Sequence, residues 1–178
     1  MLIKTVSYLL LALLLGCHKQ FAVNNSNGSA ADSYYAFSEV RLMSDANEIS
    51  ARYKKTGDCL VVGGIVADCK YHDWNGISYG VFEGKVVRIE ADGAFLKKGT
   101  RLPFDLALGD DRASVLKKLL RHRNVAGIEA LLTGLKSGEK NVSVAIEDKR
   151  LDEDDFEFFL VFDDDDDLRA LGSMVTVI

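Results

Sequence analysis

The side chains best equipped for chemistry in this 178-residue chain are carboxylates, and the densest set is the run Asp163, Asp164, Asp165, Asp166 and Asp167. Such a run could ligate calcium. A helix–loop–helix calcium loop needs glycine at its sixth position and glutamate at its twelfth, where this chain has Leu168 and Met174, so that chemistry is not expected. Paired carboxylates could also act as general acid and base, but nothing in the sequence sets one apart from its neighbours. His18, His72 and His122 are scattered and spell out no metal cluster. The H-E-x-x-H and phosphate-loop patterns are missing, and "GISYG" at 76–80, which has the G-x-S-x-G spacing, falls within a run that reads as a strand and not at the strand-to-helix turn that motif needs. The chain therefore reads as a binding protein and not an enzyme, with no catalytic residue, metal or cofactor expected.

The carboxylates are segregated. From residue 139 onward there are thirteen Asp and Glu against four Lys and Arg, a net of −9 in a chain whose total is −5. An acidic surface of this kind repels nucleic acid and steers a basic protein toward it. Asp154 and Asp155, in "DEDDFE", are expected to join Asp163 to Asp167 in that role; the alternative is a solvated turn that discourages edge aggregation. A second candidate surface is "KYHDWNGISY" at 70 to 79, where Tyr71, His72 and Trp74 include the residue types that anchor binding hot spots. Trp74 precedes Asn75-Gly76 and so should stand at a turn.

The N-terminus belongs to targeting and not to the fold. Lys4 precedes an apolar stretch, Val6 to Leu15, shorter than the roughly 20 residues a membrane span needs. It ends in "LLGC" at 14 to 17, which resembles the lipobox of bacterial lipoproteins. That resemblance implies cleavage after residue 16 and acylation (palmitate or a similar chain) of Cys17. It also implies retention at the outer membrane facing the periplasm, since His18 follows where inner-membrane retention favours Asp. The Asn-, Ser- and Gly-rich tract behind it, to residue 37, reads as a tether.

With Cys17 acylated, Cys59 and Cys69 remain for a disulfide in an oxidising compartment. They bracket "LVVGGIVAD", which reads as a hairpin; a three-residue loop, Gly63 to Ile65, would set the two cysteines opposite one another.

The remaining segments predict an α+β fold. A helix is expected over "SDANEISARYKK" (44–55), entered by Ser44 or Asp45, followed by a meander through "IVADCKYHDW", "GISYGVFEG" and "KVVRIEAD". Two amphipathic helices are expected in "DDRASVLKKLLRHR" and "VAGIEALLTGLKSG", then strands in "NVSVAIED", "DFEFFLVF" and "LRALGSMVTVI". The halves look alike. Leu42, Asp45 and Ile49 match Leu108, Asp111 and Val115 at identical spacing, and Tyr79, Phe82, Val86 and Ile89 answer Phe159, Phe162, Leu168 and Leu171, with a longer turn in the second copy.

This order of helix entrance, helix and terminal hairpin resembles the small outer-membrane assembly lipoproteins of the SmpA/OmlA type, and their fold relatives the β-lactamase inhibitor proteins, which are two such units in tandem. The resemblance implies a signal peptide at 1–16, a lipidated cysteine and tether at 17–37, a first unit with the disulfide hairpin at 38–100 and a second with the acidic hairpin at 101–178. It also implies a role in binding other proteins. Joined to the charge pattern, that gives a periplasmic inhibitor or immunity protein with a basic partner; a structural lipoprotein supporting outer-membrane assembly is the alternative.

Overall fold

The computed structural model of the protein describes residues 30–50, 53–55, 60–62, 65–67, 69–151 and 155–175. Two short helices, α1 (Ala30–Tyr34) and α2 (Ala46–Ser50), precede strands β1 (Lys54–Lys55), β2 (Leu60–Val62), β3 (Ile65–Ala67), β4 (Cys69–His72), β5 (Ile77–Phe82) and β6 (Lys85–Asp92). A second run follows: α3 (Arg112–Leu120), α4 (Ile128–Ser137), β7 (Asn141–Glu147), β8 (Asp155–Phe162) and β9 (Leu168–Met174). The fold is α+β. Among the described residues no helix is long and apolar enough to cross a membrane.

Hairpins of period-two sequence build one seven-stranded antiparallel sheet in the order β1-β4-β5-β6-β9-β8-β7, with β2 and β3 as a separate pair. The helices lie on one face: Gly134 of α4 sits so close to Val142 that a Cβ there would come within 2.7 Å of its Cγ1. Val142, Leu160, Leu171, Ala91 and Ile77 are successive cross-strand partners and are all buried beneath that layer. Each side chain one position along points the other way. His72, Ser78, Glu90, Gly172, Phe159 and Ser143 therefore form a row across the helix-free face.

Both halves feed the same core, and the same hydrogen bonds recur in each. The Met43 N–H donates to Val86 O (2.7 Å) and the Val86 N–H to Ser44 O (3.0 Å); the Gly109 N–H donates to Leu168 O (2.8 Å) and the Leu168 N–H to Asp110 O (2.8 Å). Bridges Asp45–Lys85 and Asp111–Asp167 correspond, and irregularities fall at Gly80/Val81 and at Val161/Phe162. The matches of Asp45 with Asp111, Val86 with Leu168 and Ile89 with Leu171 agree with these bonds. The shared irregularity sets Val81, not Phe82, against Phe162, so the sequence match on that strand is one residue out of step.

Three expectations change at the N-terminal side. The tether does not run to residue 37: α1 buries Ala31 and Tyr34, and Tyr35 and Phe37 follow them into the core. Tyr34 meets Phe104 and Phe158 edge-on at 4.9 and 4.8 Å while its hydroxyl donates to Ala126 O at 2.6 Å. Three aromatic rings within four residues give that segment the apolar area a tether lacks. The helix expected over 44–55 is described only as α2, its entrance formed by Asp45, whose carboxylate accepts the Asn47 N–H at 2.8 Å. Lys54 and Lys55 pair instead with His72 and Tyr71 as an edge strand, because a short helix with one apolar turn is outcompeted by sheet pairing. The β2–β3 hairpin is present, but Ile65 pairs with Val62 and Leu60 with Ala67, so Ile65 belongs to the strand and the odd-length loop that would align Cys59 with Cys69 is not the one formed; Cys59 itself lies outside the described residues.

Candidate functional site

Two exposed turns hold the side chains singled out by the sequence, and they are built alike. In the β4–β5 turn, Asp73 Oδ1 accepts the N–H groups of Asn75 and Ile77, both at 2.8 Å, and the Asp73 N–H donates to Ile77 O at 3.0 Å. In the β8–β9 turn, Asp163 Oδ1 accepts the N–H groups of Asp165 and Asp167, both at 3.0 Å, and the Asp163 N–H donates to Asp167 O at 3.0 Å. A short acceptor side chain thus stands in for the missing backbone partner of a tight turn. The left-handed position is Gly76 (φ 86°) in one and Asp166 (φ 69°) in the other.

The first turn presents an aromatic corner. Trp74 is 71 % exposed, and Phe95, in the loop after β6, is 54 % exposed. His72 joins them, its ring centroid 4.3 Å from that of Phe95. The loops interlock: the Lys97 N–H donates to Asn75 O at 2.8 Å, and a Cβ on Gly76 would fall 1.9 Å from Phe95 O, so only glycine permits the approach. Tyr71, expected in this surface, is turned away from it. It pairs with the fully buried Tyr79 and packs against the core, because strand alternation puts Tyr71 and His72 on opposite faces.

The second turn is far less free than five consecutive aspartates suggest. Arg112 Nε donates to both oxygens of Asp166 at 2.8 Å, and its Nη2 donates to Oδ1 at 2.6 Å. Its Nη1 reaches Glu139 O at 2.9 Å, and its guanidinium lies 4.3 Å from the Phe162 ring centre. Lys140 pairs with Asp164. These hydrogen bonds hold the Asp166 and Asp164 carboxyls below the ordinary range and push the Lys140 ammonium above its own. Asp163 is engaged in the turn, which leaves Asp165 and Asp167 with no side-chain partner among the described residues.

Position decides which carboxylates can act together. Asp155 opens β8 opposite Glu147, whereas Asp163 to Asp167 follow the other end of that strand, so eight residues of extended chain, about 25 Å, separate the two acidic segments. Asp154 lies outside the described residues, as do Cys17 and Cys59; Cys69 begins β4. The aromatic corner, by contrast, is at the same end of the sheet as the aspartate turn. Ile77 pairs with Ala91, Asp92 with Ala170, and the Gly93 N–H donates to Arg169 O at 3.2 Å. Three strand spacings, about 14 Å, separate the two turns. A depression of about 330 Å³ lies beside the corner, lined by Leu96, Lys97, Lys98, Leu102 and Leu108 among others.

A buried acid lies away from this end. Asp148 is 3 % exposed and its pKa is raised by desolvation, yet Arg150 donates to it from Nε (2.6 Å) and Nη2 (2.8 Å) and from Nη1 to Asp32 of α1 (2.7 Å). The cluster clamps α1 to the loop after β7 and has the character of a structural pair. Among the described residues no group of three His, Cys, Asp or Glu side chains converges as a metal site would.

Sequence reading missed Phe95, Arg112 and Lys140. Phe95 carried a signal, a lone aromatic in a polar, glycine-containing loop, but the two cations are recognisable only once β7 and α3 are brought against the β8–β9 turn. Comparison of the chain with protein-family models, with curated proteins and with solved structures finds no match.

Proposed function

We propose that this protein is an outer-membrane lipoprotein, acylated at Cys17 and facing the periplasm, that binds and neutralises another protein as an inhibitor or immunity factor. The observation that carries the reading is the exposure of Trp74 and Phe95 at the same end of the sheet as the aspartate turn. Large exposed aromatics beside a shallow depression are the usual anchors of a protein interface. The unpaired carboxylates of Asp165 and Asp167 add a rim that favours a basic partner. The recurrent hydrogen bonds at the two helix entrances support descent of residues 38–100 and 101–178 from one duplicated unit, as in the tandem inhibitor proteins that the sequence resembles. A disulfide between Cys59 and Cys69 belongs to the same proposal. No chemistry is assigned to the protein.

The test is capture from envelope extract by the acylated chain and by a Trp74→Ala, Phe95→Ala double variant, at low and high salt. A secreted basic protein retained by the parent, released by salt and lost with the variant supports the reading; equal capture by both chains refutes the site. Neutralisation of Asp164 and Asp166 within the molecule favours the alternative, a resident assembly lipoprotein that needs little electrostatic capture. Loss of such a protein weakens the envelope in pure culture, whereas loss of an immunity factor sensitises cells only when the toxin is present.

A further inference from the structure

The two edges of the seven-stranded sheet are finished differently. One edge is β1, two residues long and made of lysines, which is how sheets discourage further pairing. The other is β7, seven residues paired with β8 in unbroken register, with neither proline nor a charge before Glu147. β4 stands to β5 as β7 stands to β8, and the outer side of β4 is taken by β1, whereas among the described residues nothing pairs with the outer side of β7.

The direction of its hydrogen bonds follows from the ladder. The Phe162 N–H donates to Lys140 O, so residues 140, 142, 144 and 146 face β8. Asn141, Ser143, Ala145 and Glu147 then turn their N–H and C=O groups outward. No hydrogen bond to any of these four appears among the described residues, and their side chains are exposed.

We propose that the β7 edge is a self-association surface, on which β7 of a second copy of this chain adds antiparallel about a two-fold axis through Val144. The sequence "NVSVAIE" is complementary to itself in that register. Val144 meets Val144, Val142 meets Ile146, and Ser143 meets Ala145, so β-branched residues face one another on the helix side and small ones on the open side. Asn141 meets Glu147. The Ser143 and Ala145 N–H groups of each copy donate to the Ala145 and Ser143 carbonyls of the other, and the two sheets become one. This association does not depend on the partner proposed above, since it uses the opposite side of the sheet from the aromatic corner.

The test is oxidative cross-linking in cells of the full-length chain carrying Val144→Cys. Val144 forms a non-hydrogen-bonded pair with its own copy, where Cβ atoms are close enough for a disulfide. The expected product is a covalent species of twice the chain mass that the parent chain, with the same native cysteines, does not form. Adding Ala145→Pro removes an N–H that makes no bond within the molecule and should cut the product at least tenfold. A second readout avoids cysteine: the parent chain in detergent should sediment as a dimer and the Ala145→Lys variant as a monomer. A monomeric parent, a cross-link only to a different protein, or cross-linking indifferent to Ala145→Pro overturns the proposal.

Discussion

Arg112 at the start of α3 and Asp166 in the β8–β9 turn form a fork, with Nε at 2.8 Å from both carboxylate oxygens and Nη2 at 2.6 Å from one. The same guanidinium reaches Leu135 O at 3.3 Å, which also accepts the Gly138 N–H, and Glu139 O at 2.9 Å, just past the end of α4. One side chain, 12 % exposed, therefore fastens α3, the end of α4 and the acidic turn together.

Replacing Arg112 should be costly. Arg112→Ala leaves the Glu139 carbonyl and the Asp166 carboxylate without this donor, and unfolding in urea should show a loss of about 2–3 kcal/mol. Arg112→Lys keeps the charge but not the planar fork and should recover less than half of that loss.

The chain should lose stability in acid. Asp164 and Asp166 have carboxyls lowered by their bonds to Lys140 and Arg112, and the Asp111 carboxyl is lowered by the Ser114 N–H that it accepts. A group held below its unfolded value contributes stability that is complete above the unfolded carboxylate range, near pH 4, and is lost as pH falls toward the folded value. Asp148 acts with the opposite sign: burial raises its pKa, and its protonation in acid relieves a cost. Three lowered groups oppose one raised group, so urea midpoints should fall between about pH 6 and about pH 3, and Asp166→Asn should make that fall shallower.

Gly76 tests the interlocking of the two loops at the aromatic corner. Alanine there would place its Cβ 1.9 Å from Phe95 O at a φ of 86°. Gly76→Ala should destabilise the chain by about 2–3 kcal/mol and change Trp74 fluorescence, whereas Gly84→Ala, strained in φ (76°) but with nothing within 4 Å, should cost about 1 kcal/mol.

Trp74 and Phe95 should separate stability from binding. Both are exposed, so each alanine substitution should leave the unfolding free energy within about 0.5 kcal/mol of the parent. Affinity for a captured partner should fall about tenfold or more with Trp74→Ala, read by titration calorimetry.

Docking of α1 distinguishes fold from tether. Tyr34→Phe removes only the bond to Ala126 O and should cost about 1 kcal/mol. Tyr34→Ala also empties a site between Phe104, Phe156 and Phe158 and should cost about 3–5 kcal/mol in thermal or urea unfolding; a loss under 1 kcal/mol would return this segment to the tether.

Much of the local structure was legible in the chain itself. Alternation in "DFEFFLVF" and the three-to-four spacing of Ile128, Leu131, Leu132 and Leu135 are properties of neighbouring residues, and β8 and α4 lie where those patterns put them. Asp111 before Ser114 and Gly138 after the last leucine gave the ends of two helices for the same reason. The aspartate run and Trp74 were visible as residue types at turns.

What those turns can do was settled by partners distant in sequence. Asp166 lies 54 positions from Arg112, and Asp164 lies 24 from Lys140, so no local pattern announces that two of five carboxylates are neutralised. Asp155 and "DDDDD" are close together in sequence, yet an extended strand carries them to opposite ends of the sheet, while Trp74 and the aspartate turn, far apart in sequence, share one end. Local periodicity determines which elements form because it depends on neighbours a few residues away. Which charges remain free and which surfaces adjoin depend on the strand order β5-β6-β9-β8, and only tertiary pairing decides that order.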